Sequence, residues 1–189
     1  MSTSSLGGIN RDQVLMIEHL AQRLPSGWRI YVKENPRQAG YARGPMFFHR
    51  LGRIEAVQYV PSNTNTHALS SKAKFVATVS GTAGWEAIRK GRPAVVFGNS
   101  WDKSLPGCFR WSDDLDLEQV VEDTFSHSNV ERAYGAVLSK CHDGVIEDIY
   151  INMVDDFDRG ANVETVSKSI VSLLLGEVGP TFGGDAYDA

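Results

Sequence analysis

Val14, Leu15, Ile17, Leu20, Ala21 and Leu24 recur every three to four positions. That spacing gathers them on one helix face. It predicts a helix opened by Asn10 or Asp12 and ended by Pro25 and Gly27. The pattern then shifts to WRIYVK, Trp28 to Lys33, a run rich in aromatic and β-branched residues that predicts a strand. A loop punctuated by Gly and Pro follows from Asn35 to Pro45, then a short helix at Met46 to Leu51 and a strand at Ala56 to Val60. Asn63 to Ser71 reads as a helix capped by Asn63 or Thr64. The most regular stretch is Lys74 to Gly98, KFVATVSGTAGWEAIRKGRPAVVFG. Phe75, Val76, Val79 and then Ala94 to Phe97 are short apolar runs of the kind buried on both faces of a parallel sheet. A helix lies between them, ended by Gly91, and Pro93 starts the next strand. After a loop containing Trp101 and LPGCFRW, helices are predicted at Asp116 to Phe125, Asn129 to Tyr150 and Asn162 to Leu175. This alternation predicts an α/β fold, a Rossmann-like parallel sheet flanked by helices.

Polar residues fall where such a sheet binds ligands, at the carboxyl ends of its strands. After the strand at Phe75 to Val79, Ser80, Gly81, Thr82, Ala83 and Gly84 are all small, so a ligand can approach a helix end whose first N–H groups lack helical partners. Such an end attracts anions. Glu86, in the first turn, suits the helix dipole and can accept hydrogen bonds from sugar hydroxyls. The bland alternative is that the glycines only make a tight turn. The strand WRIYVK runs into Glu34, Asn35, Pro36 and Arg37, a second polar segment, so two segments are expected to share one site. Lys33 is placed either to meet the ligand or to pair with Glu34 or Glu86. Arg37, Arg43, Arg50 and Arg53 are further phosphate candidates, with a solvated surface as their rival role. Trp85 and Trp101 are weighed as nucleobase flanks against core filling, and His49 and His67 as lone structural histidines.

Composition narrows the field. The 189 residues suit one domain, expected over residues 1–176 with a disordered, glycine- and acid-rich tail at 177–189. Nineteen Lys and Arg are scattered through a chain of formal net charge -4, so no nucleic-acid partner is expected. No apolar run approaches the roughly 20 residues of a membrane helix. Met1 to Gly8 lacks the regions of a signal peptide, and the cytoplasm is the expected location, in reach of the inner membrane face. Cys108 and Cys141 form no metal or disulfide motif. Asp113 with Asp114, and Asp155, Asp156 and Asp158, sit where caps and solvated acids are common, and no metal site is expected.

Three blocks resemble the capsule polysaccharide biosynthesis glycosyltransferases, a family that includes bacterial Kdo transferases: Val32 to Pro36, Thr78 to Ile88, and Gly91 to Gly98. The resemblance spans about Leu6 to Trp111. It implies the carboxyl-terminal, nucleotide-sugar-binding lobe of a GT-B-like enzyme, with the acceptor lobe and general base expected on a separate amino-terminal lobe. The implied substrates are a nucleotide sugar, with CMP-Kdo as one candidate donor, and a glycan acceptor, without cofactor or metal. Lys33, Glu34, Asn35 and Pro36, with Ser80, Gly81, Thr82, Ala83, Gly84 and Glu86, are the implied donor-binding residues. Asn35 stands where the family usually has histidine, so no catalytic residue is assigned. An amide can donate a hydrogen bond to a leaving phosphate but cannot carry charge. A non-catalytic nucleotide-sugar-binding or interaction module and a 2-epimerase-like lobe are the alternatives.

Overall fold

The computed structural model describes residues 6–35 and 43–178. Pro36 and Arg37, and residues 179–189 of the expected tail, lie outside them. The chain divides after Glu131 into two compact units.

In the first unit a 3-10 turn, Gly8–Arg11, leads into α1, Gln13–Arg23. Asp12 caps α1, its carboxylate accepting from the N–H groups of Val14 and Leu15 at 3.1 and 3.4 Å. Two of the orphan donors at the helix start are thereby satisfied. The apolar stripe buries Val14, Met16, Ile17 and Leu20. Strand β1, Ile30–Lys33, pairs in parallel with β2, Val57–Val60, with α2, Pro45–Leu51, between them. After α3, Thr66–Lys72, a second ladder joins β3, Val76–Thr78, in parallel to β4, Ala94–Val96, through α4, Ala83–Ile88. A third parallel strand, β5, Cys108–Arg110, flanks β4, and α5, Leu117–Glu122, follows. The fold class is α/β, with parallel strands flanked by helices, as expected.

The two ladders share one core: Ile30, Val32 and Val57 from the first pack with Ala77, Val79, Val95 and Phe97 around the second. Trp28, just before β1, lies 6.3 Å from Phe75, just before β3, with the Lys74 ammonium over the Trp28 ring at 4.6 Å. Central β4 is fully buried, Ala94 and Val95 at 0% exposure, which accounts for its unbroken apolar run. Gly91, at φ 71, ends α4 in the left-handed region that suits glycine. The N–H of Arg92 then returns to the Ala87 carbonyl at 3.0 Å.

Three elements differ from expectation. Cys108–Arg110 is a strand, where the sequence reads as loop, because it is only three residues long and follows Pro106 and Gly107. The cap of α3 is Asn65, which accepts from His67 and Ala68, rather than Asn63 or Thr64. The helix expected over Asn129 to Tyr150 is α6, His127–Leu138, followed by non-helical chain and a 3-10 turn at Asp148–Met153.

The second unit holds the end of α6, that turn, and α7, Arg159–Leu174. Asp158 caps α7 through the Ala161 N–H at 3.0 Å, and Asn162 both accepts from Val145 N and donates to Val145 O. No described residue of this unit is fully buried, and Ile170, Val171 and Leu174 of α7 are exposed.

Candidate functional site

The turn from β3 into α4 is built by local packing. The Thr78 hydroxyl accepts from the Gly81 N–H at 3.1 Å, and a Cβ at Gly81 would sit 2.9 Å from that oxygen. A side chain there would push aside the Thr78 hydroxyl that closes the turn. Gly84 is buried in the first turn of α4, where an added Cβ would meet Asp102 Oδ2 at 3.2 Å, Thr78 Cγ2 at 3.3 Å and Ala94 Cβ at 3.5 Å. Its lack of a side chain lets helix and strands approach closely. The Gly84 N–H returns to the Gly81 carbonyl at 3.3 Å, and the Glu86 N–H to Thr82 at 2.9 Å. Thr82 is exposed and precedes α4 without a side-chain cap, while Ser80 and Ala83 are half-buried. Glu86 points toward α3: its Oε2 lies 3.9 Å from His67 Nδ1, and that nitrogen is 2.6 Å from the Lys90 ammonium.

The end of β1 is held by a different set of partners. Lys33 donates to the Glu34 backbone carbonyl at 3.2 Å. The Glu34 carboxylate is taken by Arg43, which donates from Nε to Oε1 at 3.2 Å and from Nη2 to Oε2 at 3.1 Å. Arg43 also bonds Gln13 of α1, and its guanidinium lies 4.5 Å over the Phe47 ring of α2. Both members of the pair are largely buried, with side-chain exposures of 16% for Arg43 and 10% for Glu34. Tyr59 of β2 stands near them: burial, then the Glu34 charge, pushes its phenol above the ordinary range. Asn35 is exposed at the strand exit.

Arg50 is committed elsewhere. Its guanidinium bridges Asp12 at 2.6 Å and Glu18 at 2.6 Å, tying α2 to α1, and these partners raise its pKa. Trp85 and Trp101, weighed as base flanks, meet edge to face with centroids 5.4 Å apart, and Arg89 lies over Trp85 at 5.6 Å.

Behind the turn is a polar group that the sequence did not disclose. Asp102 is 0% exposed and Ser100 3%. The Ser100 hydroxyl donates to Asp102 Oδ1, while buried Asp102 Oδ2 and Ser80 Oγ have no hydrogen-bond partner among the described residues. Nearby Cys108 has its thiol pushed up to about 12 by burial and by the Asp102 charge. Nothing in FGNSWDKS marks Asp102 as inward-facing, since an acid in a polar loop ordinarily faces water. Asn10 is also buried and donates to the Phe97 carbonyl at 2.9 Å. It borders a cavity of about 270 Å³ with Leu6, Phe97, Asn99, Arg110 and Trp111. A larger one, about 510 Å³, is lined by Arg23, Pro25, Ser26 and Asp114 to Glu118, and shares no residue with either polar segment. Among the described residues no group of three His, Cys, Asp or Glu side chains is placed to hold a metal ion. No described helix is long and apolar enough to cross a membrane.

Parallel strands carrying polar segments at their carboxyl ends, with a small-residue turn into a helix, define an α/β unit of Rossmann-like type. The family described as capsule polysaccharide biosynthesis protein matches residues 2–131, and the chain belongs to that family. The match ends where the first unit ends. No curated protein and no solved structure matches the chain.

Proposed function

We propose that the first unit is the donor-binding lobe of a glycosyltransferase that transfers a sugar from a nucleotide donor to a bacterial capsular or other surface glycan, with CMP-Kdo as one candidate donor. The observation that carries this is the Ser80 to Gly84 turn at the β3 exit, within a chain of the capsule polysaccharide family. The contact of Trp28 with Phe75 favours a strand order β2-β1-β3-β4-β5. That order reverses direction between β1 and β3, and ligands of open α/β sheets bind at such a switch point. Both polar segments follow those two strands.

In this site the Gly81 and Gly84 N–H groups are already engaged within the turn, which leaves those of Thr82 and Ala83 to meet a donor phosphate. Glu86, with its side chain 42% exposed, accepts from a ribose or sugar hydroxyl. Lys33 and Asn35 cover the phosphate from the β1 side. On this reading the site that binds the acceptor glycan, and the base for its hydroxyl, belong to an amino-terminal lobe. Asn35, neutral at every working pH, favours a second reading in which the unit binds a nucleotide sugar without turning it over.

Thermal unfolding against CMP, CDP, UDP, GDP and their sugar conjugates tests the proposal. A ligand at about 100 times its dissociation constant adds roughly 2.7 kcal/mol, a shift of several degrees in a chain of this size. A selective shift with one nucleotide supports the donor lobe; a cooperative transition unmoved by all of them overturns it.

A further inference from the structure

We infer that Arg43 is a positioning residue for the β1 exit, acting through Glu34, and that the Glu34 carboxylate holds the chain rather than the ligand. This rests on the donor-lobe reading for its functional half. Both Glu34 oxygens are occupied by the Arg43 fork, at 3.2 and 3.1 Å. A bidentate guanidinium pair fixes orientation as well as distance. The same guanidinium bonds Gln13 and stacks on Phe47 at 4.5 Å, so one side chain joins the end of β1 to both α1 and α2. Its partners fix Arg43 from three sides, and a largely buried pair is weakly screened by solvent. Lys33 donates to the backbone carbonyl of Glu34. The placement of Lys33 and of Asn35, next along the chain, therefore follows from where Arg43 holds Glu34. A ligand group that took a Glu34 oxygen would have to displace the fork and leave a largely buried guanidinium short of its partner, which is costly.

The experiment is a double-mutant cycle on the full chain with Arg43→Ala, Glu34→Gln and the double variant, plus Arg43→Lys. Three quantities are read: amide hydrogen exchange at Glu34 and Asn35, tryptophan-detected melting, and the dissociation constant of whichever nucleotide stabilises the wild type. Arg43→Ala is expected to speed exchange at those amides about tenfold and to weaken nucleotide binding by a similar factor. The melting temperature should fall as well, since the Glu34 carboxylate is left largely buried without its partner, so exchange and binding are read well below the transition. Arg43→Lys, which keeps the charge but loses the fork, should fall between wild type and Arg43→Ala. If Arg43 acts through Glu34, the double variant matches Arg43→Ala in exchange and in binding. Additive effects, or unchanged exchange in Arg43→Ala, overturn the inference. So does a larger binding loss in Glu34→Gln than in Arg43→Ala, which would place the carboxylate on the ligand. Should the wild type bind no nucleotide, the donor-lobe proposal fails, and the exchange cycle still decides whether Arg43 fixes the β1 exit.

Discussion

Gly98 offers a sharp test of how the core around β4 is closed. Adding a Cβ there would place it 2.6 Å from the Leu6 carbonyl oxygen, 2.9 Å from the Val79 carbonyl oxygen and 3.0 Å from Val79 Cγ1. Two of these are backbone atoms on opposite neighbours, so no side-chain rotation relieves the contact. The same carbonyls accept hydrogen bonds at this point, Gly98 N–H to Val79 and Asn99 N–H to Leu6, each at 2.8 Å. Gly98→Ala therefore costs about 1–3 kcal/mol of overpacking and about 1 kcal/mol for one loosened hydrogen bond. A reduction of unfolded-state entropy offsets about 0.4–1 kcal/mol. The net, about 1–3.6 kcal/mol, lowers the melting temperature by roughly 2–14 °C in a chain of this length. All four tryptophans, Trp28, Trp85, Trp101 and Trp111, precede Glu131, so tryptophan fluorescence follows the first unit alone. Melting detected in this way should show the fall. An unchanged or raised transition would mean that the Leu6 segment is not seated on Gly98, and would refute the packing argument.

Gly135→Ala has the opposite sign: nothing lies within 4 Å of its added Cβ, inside α6, so helix propensity should add up to about 1 kcal/mol, read by far-UV circular dichroism on melting. For Asp12, burial alone would lift the carboxyl, but the Arg50 hydrogen bond and the Leu15 and Val14 N–H groups together hold it below its ordinary 3.8. Its stabilisation is present above that value and lost as the pH falls through the lower folded value, so Asp12→Asn should flatten the acid limb of a pH-stability curve. Glu86→Ala should change stability by less than about 0.5 kcal/mol, since the side chain is 42% exposed, while weakening nucleotide binding; a large drop in melting temperature would make Glu86 structural. Iodoacetamide on the native protein should label exposed Cys141 and spare Cys108, whose thiol is pushed up to about 12, as peptide mass spectrometry would show.

The strands that the sequence marks most clearly are those with the most burial. Ala94 to Phe97 is apolar throughout because every face of it meets protein, and that run was legible without coordinates. Cys108–Arg110 was not, since three residues give no period and only the pairing with β4 defines them as a strand. The α6 boundary differs because Val130, Tyr134 and Val137 keep helical spacing up to the helix end at Leu138, where the chain tightens into turns closed by Lys140 N–H to Val137 and Cys141 N–H to Leu138, both at 3.0 Å, with no breaking residue at that point. In the site, the small residues of SGTAG pointed to close approach. What approaches Gly84, however, is the protein's own Asp102, eighteen positions away, with no local signal. Likewise the carboxylate of Glu34 looked available in sequence, and only the fold brings Arg43 onto it.

The two parallel ladders are joined by side chains and not by a shared ladder bond among the described residues. Hydrogen-bonded strands can shift only in whole registers, because each bond must find the next acceptor. A seam of packed side chains such as Trp28 on Phe75 has no such steps: it shifts continuously, and a gap of about 0.5–1 Å forfeits roughly a quarter to a half of each contact's dispersion attraction. The separation of the two ladders is therefore graded rather than stepped, set by how well Trp28 and Phe75 stay packed and not by a hydrogen-bond register.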